Sequence, residues 1–262
     1  MTGAIIGDIA GSRFEFNNHL NTEFQLFTDD CAFTDDTVCT IAVADALLKG
    51  ISFEASLQYW CRKYPHPKGG YGGSFAGWVH SSSPQPYNSF GNGSAMRVSP
   101  CAWWSNDLGE VLRYARMSAK CTHNHPEGIR GASVIADCIY QARHDCCSKE
   151  TIKNIAVKEY RYNLDMTCDS IRKTNTFNET CQVTVPQAIV CFLESSDFES
   201  AIRLAVSIGG DSDTIAAITG SIAEAFYGIP ENIKSAALRY LPQEFISVLS
   251  KFDAKNTNDN SI

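Results

Sequence analysis

The chain has 262 residues, 44% of them apolar and 19% charged, which is enough to bury one sizeable core and too apolar to stay disordered. Its 22 Lys and Arg against 29 Asp and Glu leave a formal charge of −7, so no basic field is available to capture duplex nucleic acid or anionic lipid. No apolar run approaches the roughly 18 residues a bilayer crossing requires, and Met1 to Arg13 has neither a basic start nor a long apolar stretch, so the chain reads as cytosolic with no membrane partner.

Helix-forming stretches separated by short turns dominate, and alternating strand-like runs are scarce. In chain order the periodicity predicts helices near Val38–Leu48, Phe53–Lys63, Asp107–Cys121, Gly128–Arg143, Thr151–Tyr160, Val185–Glu194, Asp197–Ser207, Thr214–Tyr227 and Glu231–Tyr240. Between the second and third, Pro65 to Ser99 is glycine- and proline-rich and reads as a long ordered loop or short helices, and loops of that length usually carry function. Asp253 to Ile262 reads as a polar tail. The 11 cysteines are odd in number and irregularly spaced, Cys146 and Cys147 are adjacent, and no CxxC pair occurs. Cysteines 31, 39, 101, 138 and 191 sit among apolar or small residues and are expected to be reduced core residues, with zinc through sulfur a minor alternative.

Two helix starts stand out. Thr34-Asp35-Asp36-Thr37 precedes the apolar stretch from Val38, and Asp211-Ser212-Asp213-Thr214 precedes Ile215 to Phe226. Asp and Thr are good caps, and capping alone would account for one acid at each start. A second acid adds like charge within a few ångströms, which needs a cation or hydrogen bonds to offset it. If the two starts converge, four carboxylates and two hydroxyls make an all-oxygen site for Mg²⁺ or Mn²⁺. Spacing does not decide between capping and metal binding. Asp29-Asp30 through Asp36 lacks the ligand alternation, central Gly and terminal Glu of an EF-hand, so Asp29 and Asp30 are expected at the surface. Glu15 could bring a further carboxylate from a loop, and Asp8, in the same stretch, could make helix contacts or bond to backbone.

The segments Gly69-Gly70-Tyr71-Gly72-Gly73-Ser74-Phe75 and Ser89-Phe90-Gly91-Asn92-Gly93-Ser94-Ala95-Met96-Arg97 could present amides to an anion, although neither matches a P-loop or a dinucleotide fingerprint. His123-Asn124-His125 lacks further nitrogen or sulfur ligands nearby and reads as hydrogen-bonding rather than metal-binding.

Six ordered motifs together resemble the ADP-ribosylglycohydrolase family, which includes the dinitrogenase reductase activating glycohydrolase: GAIIGDIAGSRFE at Gly3 to Glu15, FTDDT at Phe33 to Thr37, GGYGGSF at Gly69 to Phe75, SFGNGSAMR at Ser89 to Arg97, THNHPEG at Thr122 to Gly128, and GGDSDTIAAITGSIAEAFYG at Gly209 to Gly228. The resemblance implies an all-α, single-domain helical bundle over residues 1–252, with 253–262 as the tail. It implies two Mg²⁺ or Mn²⁺ ions, with Thr34, Asp35, Asp36, Asp211, Asp213 and Thr214 as ligands. Glu15 would be a mobile carboxylate sharing the chemistry with Asp35, Asp36 and Asp213. It further implies a diphosphate cradle from Gly70, Tyr71, Gly72, Gly73 and Ser74 with Ser89, Phe90, Gly91, Asn92, Gly93 and Ser94. Phe90 would stack on adenine, and His123 or His125 would lie near ribose and phosphates. The implied activity is hydrolysis of the bond between ADP-ribose and an arginine or serine side chain, or a related small-molecule adduct. A non-catalytic ADP-ribose-binding module and a structural, crystallin-like relative remain as alternatives. Leaving-group contacts are expected in loops such as Asn163 to Gln182; Tyr160, Tyr162 and Asp165 could face that opening, with surface or packing roles the more common alternative for such residues. Without heptads, the acidic chain is expected to be a monomer.

Overall fold

The computed structural model describes residues 1–144 and 147–259; Cys146 and the last three residues of the expected tail lie outside them. Regular structure among the described residues is helical, apart from two isolated bridges, Thr34 with Lys68 and Gly91 with Thr180. The helices are α1 (Thr2–Gly11), α2 (Asp35–Lys49), α3 (Phe53–Lys63), α4 (Gly73–His80), α5 (Gly93–Met96), α6 (Ser99–Trp104), α7 (Leu108–Lys120), α8 (Pro126–Ala142), α9 (Lys149–Asn154, continuing as a π-helical turn Ile155–Glu159), α10 (Cys168–Thr174), α11 (Cys181–Glu194), α12 (Phe198–Ser207), α13 (Ser212–Tyr227), α14 (Glu231–Leu238) and α15 (Gln243–Asp259). The all-α expectation holds, and each predicted helix is present.

Two substantial helices, α1 and α15, escape the periodicity reading, and α4 is a short helix within Pro65 to Ser99. Every residue of α1 is buried, so it lacks the polar face that makes a helix legible. Helix α4 begins inside the glycine-rich stretch. Helix α15 runs through Asp253, where the polar tail was expected to begin; it buries Phe245, Val248, Leu249 and Phe252 at helical spacing, and polar residues continue it to Asp259.

Helix α13 is central, packing against α1, α8, α11 and α12. Its closest approach is to α1, and glycine makes it possible. Gly3, Gly7 and Gly11 recur every fourth residue, on one face of α1. A Cβ on Gly3 would lie 2.2 Å from the Gly220 carbonyl oxygen, one on Gly7 2.0 Å from that of Ala216, and one on Gly11 2.5 Å from Asp213 Cα. The seam is backbone against backbone, and its last contact sets the position of Asp213. Its other end is pinned by Glu224 of α13, which accepts from the amides of Thr2 (3.2 Å) and Gly3 (2.8 Å).

The ten described cysteines are free thiols, mostly buried, as expected of small apolar residues. No helix among the described residues is long and apolar enough to cross a membrane.

Candidate active site

The N-termini of α2 and α13, 178 positions apart at Asp36 and Thr214, meet in the core, where Thr214 Oγ1 donates to Asp36 Oδ1 at 3.3 Å. At α2 the capping is done by other groups. Thr34 Oγ1 accepts from the Asp36 amide at 3.2 Å, and Asp8, reaching over from α1, accepts from the amides of Thr34 (3.0 Å) and Thr37 (3.1 Å) and from the Thr37 hydroxyl. The backbone-bonding alternative for Asp8 is the one realised, and Asp35 and Asp36 are not needed as caps. At α13, Asp211 occupies the N-cap position without a side-chain capping bond and accepts from Asn92 Nδ2 at 2.6 Å. The chain turns into this helix through Gly209 and Gly210, both at positive φ (70° and 79°), a conformation that an L side chain would strain. Asn18 and Asn175 hold that turn: Asn18 exchanges two 2.9 Å bonds with the Gly210 backbone, and Asn175 donates to the Ile208 and Gly209 carbonyls.

Asp36, Asp211 and Asp213 are 2%, 4% and 3% exposed, and among the described residues no ion pair reaches them, Asp8, Asp35 or Glu15. Burial first, then neighbouring acids, raises the carboxyls of Asp36 and Asp213 well above the usual range, and burial raises Asp35 and Asp211 in the same direction. Burial pushes Asp8 up to about 6. Glu15 reaches about 7 through burial and the charges of Asp211 and Asp8. Asp36 Oδ2 and Asp213 Oδ1 are buried with no hydrogen-bond partner, and oxygens of Glu15, Asp211 and Asp213 lie within 4.8 Å of one another. Orphaned, all-oxygen, uncompensated carboxylates of this kind fit hard divalent cations and suit zinc poorly.

Asp35, Asp36, Asp211 and Asp213 form the floor of a cavity of about 670 Å³. Its walls include Gly70, Tyr71, Gly72, Gly73 and Ser74 on one side and Ser89, Phe90, Gly91, Asn92 and Gly93 on the other, with His123, Thr214 and Glu15. Glu15 Oε2 lies where a Cβ on Gly69 would come within 2.4 Å, so Gly69, also at positive φ, leaves room for that carboxylate. Phe90 is 45% exposed at the rim and packs edge-on against His125 at 5.3 Å.

Three expected site residues do not line the cavity. Thr34 is turned into the α2 cap. Ser94 is fully buried and donates to the Gly128 carbonyl at 2.7 Å, joining α5 to α8. His125 is the α8 N-cap, accepting from the Glu127 amide at 3.1 Å. Tyr160 and Tyr162 are packing residues: Tyr160 donates to Asp137, and Tyr162 stacks under Arg130. Phe177, Asn178, Glu179 and Thr180, from the Asn163 to Gln182 segment expected near the leaving group, complete the wall with three residues the sequence did not single out, Phe16, Tyr87 and Arg97. Arg97 had a signal, being a lone cation in the apolar run Ala95-Met96-Arg97-Val98. Phe16, whose ring meets that of Phe177 at 5.6 Å in a tilted contact 161 positions away, had none.

The sequence profile described as ADP-ribosylglycohydrolase matches residues 1–257. The chain belongs to the ADP-ribosylglycohydrolase family. It is therefore a glycosidic-bond hydrolase. ADP-ribosylhydrolase ARH3 of Danio rerio is 27% identical over 87% of this chain and 82% of its own, and ADP-ribosylarginine hydrolase Tri1 of Pseudomonas putida (strain GB-1) is 24% identical over 90% and 73%. A solved structure titled ADP-ribosylglycohydrolase-related protein complex superposes with a TM-score of 0.68 at 23% identity, over 96% of this chain and 95% of that one, and shares the fold.

Proposed function

We propose that this ADP-ribosylglycohydrolase releases ADP-ribose from an arginine- or serine-linked protein adduct, or a related small-molecule adduct, as a cytosolic monomer that depends on two Mg²⁺ or Mn²⁺ ions. The observation that carries the reading is the meeting of Asp36 and Asp213 from remote helix starts, each with an orphaned oxygen beneath one cavity. The expected ligands are Thr34, Asp35, Asp36, Asp211, Asp213 and Thr214; Thr34 is the one that does not line the cavity, being turned into the α2 cap. When bound, such ions would offset the carboxylate charge and supply Lewis-acid polarisation to sugar hydroxyls and water.

The chain's own residues carry the rest. Carboxylates at the floor favour the positive charge that develops at the anomeric carbon as the glycosidic bond breaks. Glu15, at the cavity wall beside Gly69, accepts the proton of the attacking water and returns one to the departing side chain. The two glycine-rich segments line the cavity where the diphosphate would lie, and the exposed ring of Phe90 offers a stacking surface for adenine at the rim. The names of the ARH3 and Tri1 relatives support this substrate class.

The test is ADP-ribose release from defined arginine- and serine-modified peptides and small adducts, with and without Mg²⁺ or Mn²⁺. Release that requires the cation is expected. Tight ADP-ribose binding with no release from any adduct would instead support a binding module.

A further inference from the structure

His123 lies nearly buried at the back of the glycine cradle, and its two ring nitrogens face different worlds. Nδ1 is 2.7 Å from Thr122 Oγ1. Arg97 Nη2 donates to that same oxygen at 2.7 Å and to the Ser118 carbonyl at 3.0 Å. A guanidinium has no lone pair to offer, so Thr122 Oγ1 must accept from Arg97. Thr122 is 0% exposed, and the strong acceptor within reach of its single hydroxyl hydrogen is His123 Nδ1, the neighbouring Cys121 sulfur being a weak one. A protonated Nδ1 would aim two N–H donors at one oxygen and leave the hydroxyl hydrogen only the weak Cys121 sulfur, a poorer exchange in the interior. The imidazole proton therefore sits on Nε2.

Nε2 points into the cradle. A Cβ on Gly93 would lie 3.1 Å from it and one on Gly91 3.4 Å, and among the described residues no protein group hydrogen-bonds it. Burial, and secondarily the Arg97 charge, holds His123 well below the usual imidazole range, so the ring is neutral at physiological pH. Arg97 is 1% exposed, lines the same cavity and has no carboxylate partner among the described residues; its Nε is also unpaired. A buried guanidinium without a counter-ion is costly unless an anion completes it.

We infer that Arg97 and Thr122 are positioning residues: the chain Arg97–Thr122–His123 fixes the imidazole as an Nε2–H donor aimed at an anionic oxygen in the cradle and relays the polarisation of the buried guanidinium to it. The inference rests on the reading of this cavity as an ADP-ribose pocket, which makes that oxygen one of the diphosphate. Its first half can be tested without ligand.

Nitrogen NMR of the full-length, ligand-free protein at neutral pH, with His123 assigned by comparison with His123→Gln, should show Nε2 protonated and Nδ1 bare. Thr122→Ser should keep that signature and Thr122→Val should lose it. In calorimetry, Thr122→Val, which preserves shape, should weaken ADP-ribose about tenfold, the loss of one charge-assisted hydrogen bond, and leave adenosine within about twofold. Thr122→Ser should restore ADP-ribose to within about threefold of wild type. A wild-type spectrum with the proton on Nδ1 overturns the relay, and so does equal loss of ADP-ribose and adenosine affinity. Wild-type protein that fails to bind ADP-ribose would overturn the function proposed above, while the ligand-free spectrum would still decide the tautomer.

Discussion

The two acidic helix starts look alike in sequence and are braced in different ways. At α2, Thr34 caps its own helix and Asp8 of α1 takes two more amides, so Asp35 and Asp36 are released from helix duty. At α13 no side chain caps; the start is held instead by the Gly209–Gly210 turn, its two asparagines, and the glycine seam that brings Gly11 against Asp213. One start is positioned by hydrogen bonds and the other by backbone packing. In both, acids that could have served as caps end with buried oxygens turned toward a shared cavity. Acid content at a helix start therefore says less than which other group takes the cap.

The largest expected effect comes from removing charge at either start. Asp36→Asn and Asp213→Asn keep side-chain shape and should each lower ADP-ribose release at least about a thousandfold, a loss typical of a preorganised electrostatic element. Release within tenfold of wild type in either variant would sever that start from the chemistry.

Next in size is the seam. Gly7→Ala places a methyl group 2.0 Å from a backbone oxygen that cannot swing aside, and should cost about 3 kcal/mol or more in urea melts. Gly77→Ala on α4 is the control: it is exposed, a Cβ there meets nothing within 4 Å, and its helical position should gain about 0.5–1 kcal/mol. Equal stability of the two variants would show that α1 and α13 can part at little cost, and the α13 start would need another explanation.

The pH dependence of the metal-free protein probes both starts together. Asp8 and Glu15 ionise near 4 in the unfolded chain but hold protons to about 6 and about 7 when folded, and Asp35, Asp36, Asp211 and Asp213 shift the same way. The folded state then binds more protons than the unfolded one, so stability should fall as pH rises from about 4 through about 7. Glu15 is partly solvent-screened and contributes least. His123, lowered by burial, acts in the opposite sense, one group against several. Calorimetric melting temperatures across this window should decline, and saturating Mn²⁺ should flatten the decline. A rise in the metal-free protein would mean that the acids are already compensated.

Much of this was legible beforehand. Paired acids at two helix starts are a local pattern, and the family motifs placed both in order along the chain. The cradle glycines and His123 were readable for the same reason. Helix α1 was not, because a helix buried all round shows no face, although its Gly3-Gly7-Gly11 spacing is, in retrospect, the mark of a close backbone seam. Thr34, Ser94 and His125 belong to matched motifs yet turn to caps and packing, since a motif gives the residue and not the direction of its side chain. Phe177 and Glu179 lie in the segment expected near the leaving group, whereas Phe16 reaches them only through tertiary folding, and nothing local announces it.

The smallest effect separates the two kinds of brace most directly. Thr34→Ala deletes the oxygen that accepts the Asp36 amide and should lower the stability of the metal-free protein by about 1 kcal/mol, the usual worth of a cap. Asp36→Asn, two residues away, removes a charge that burial and Asp8 already disfavour, and should leave metal-free stability unchanged or higher. Denaturant midpoints of the two variants should therefore move apart from wild type in opposite senses, or one should move while the other stays. The reverse order would make Asp36 the cap and Thr34 dispensable to the fold, and the distinction between a start held by hydrogen bonds and acids left over for the cavity would collapse at α2.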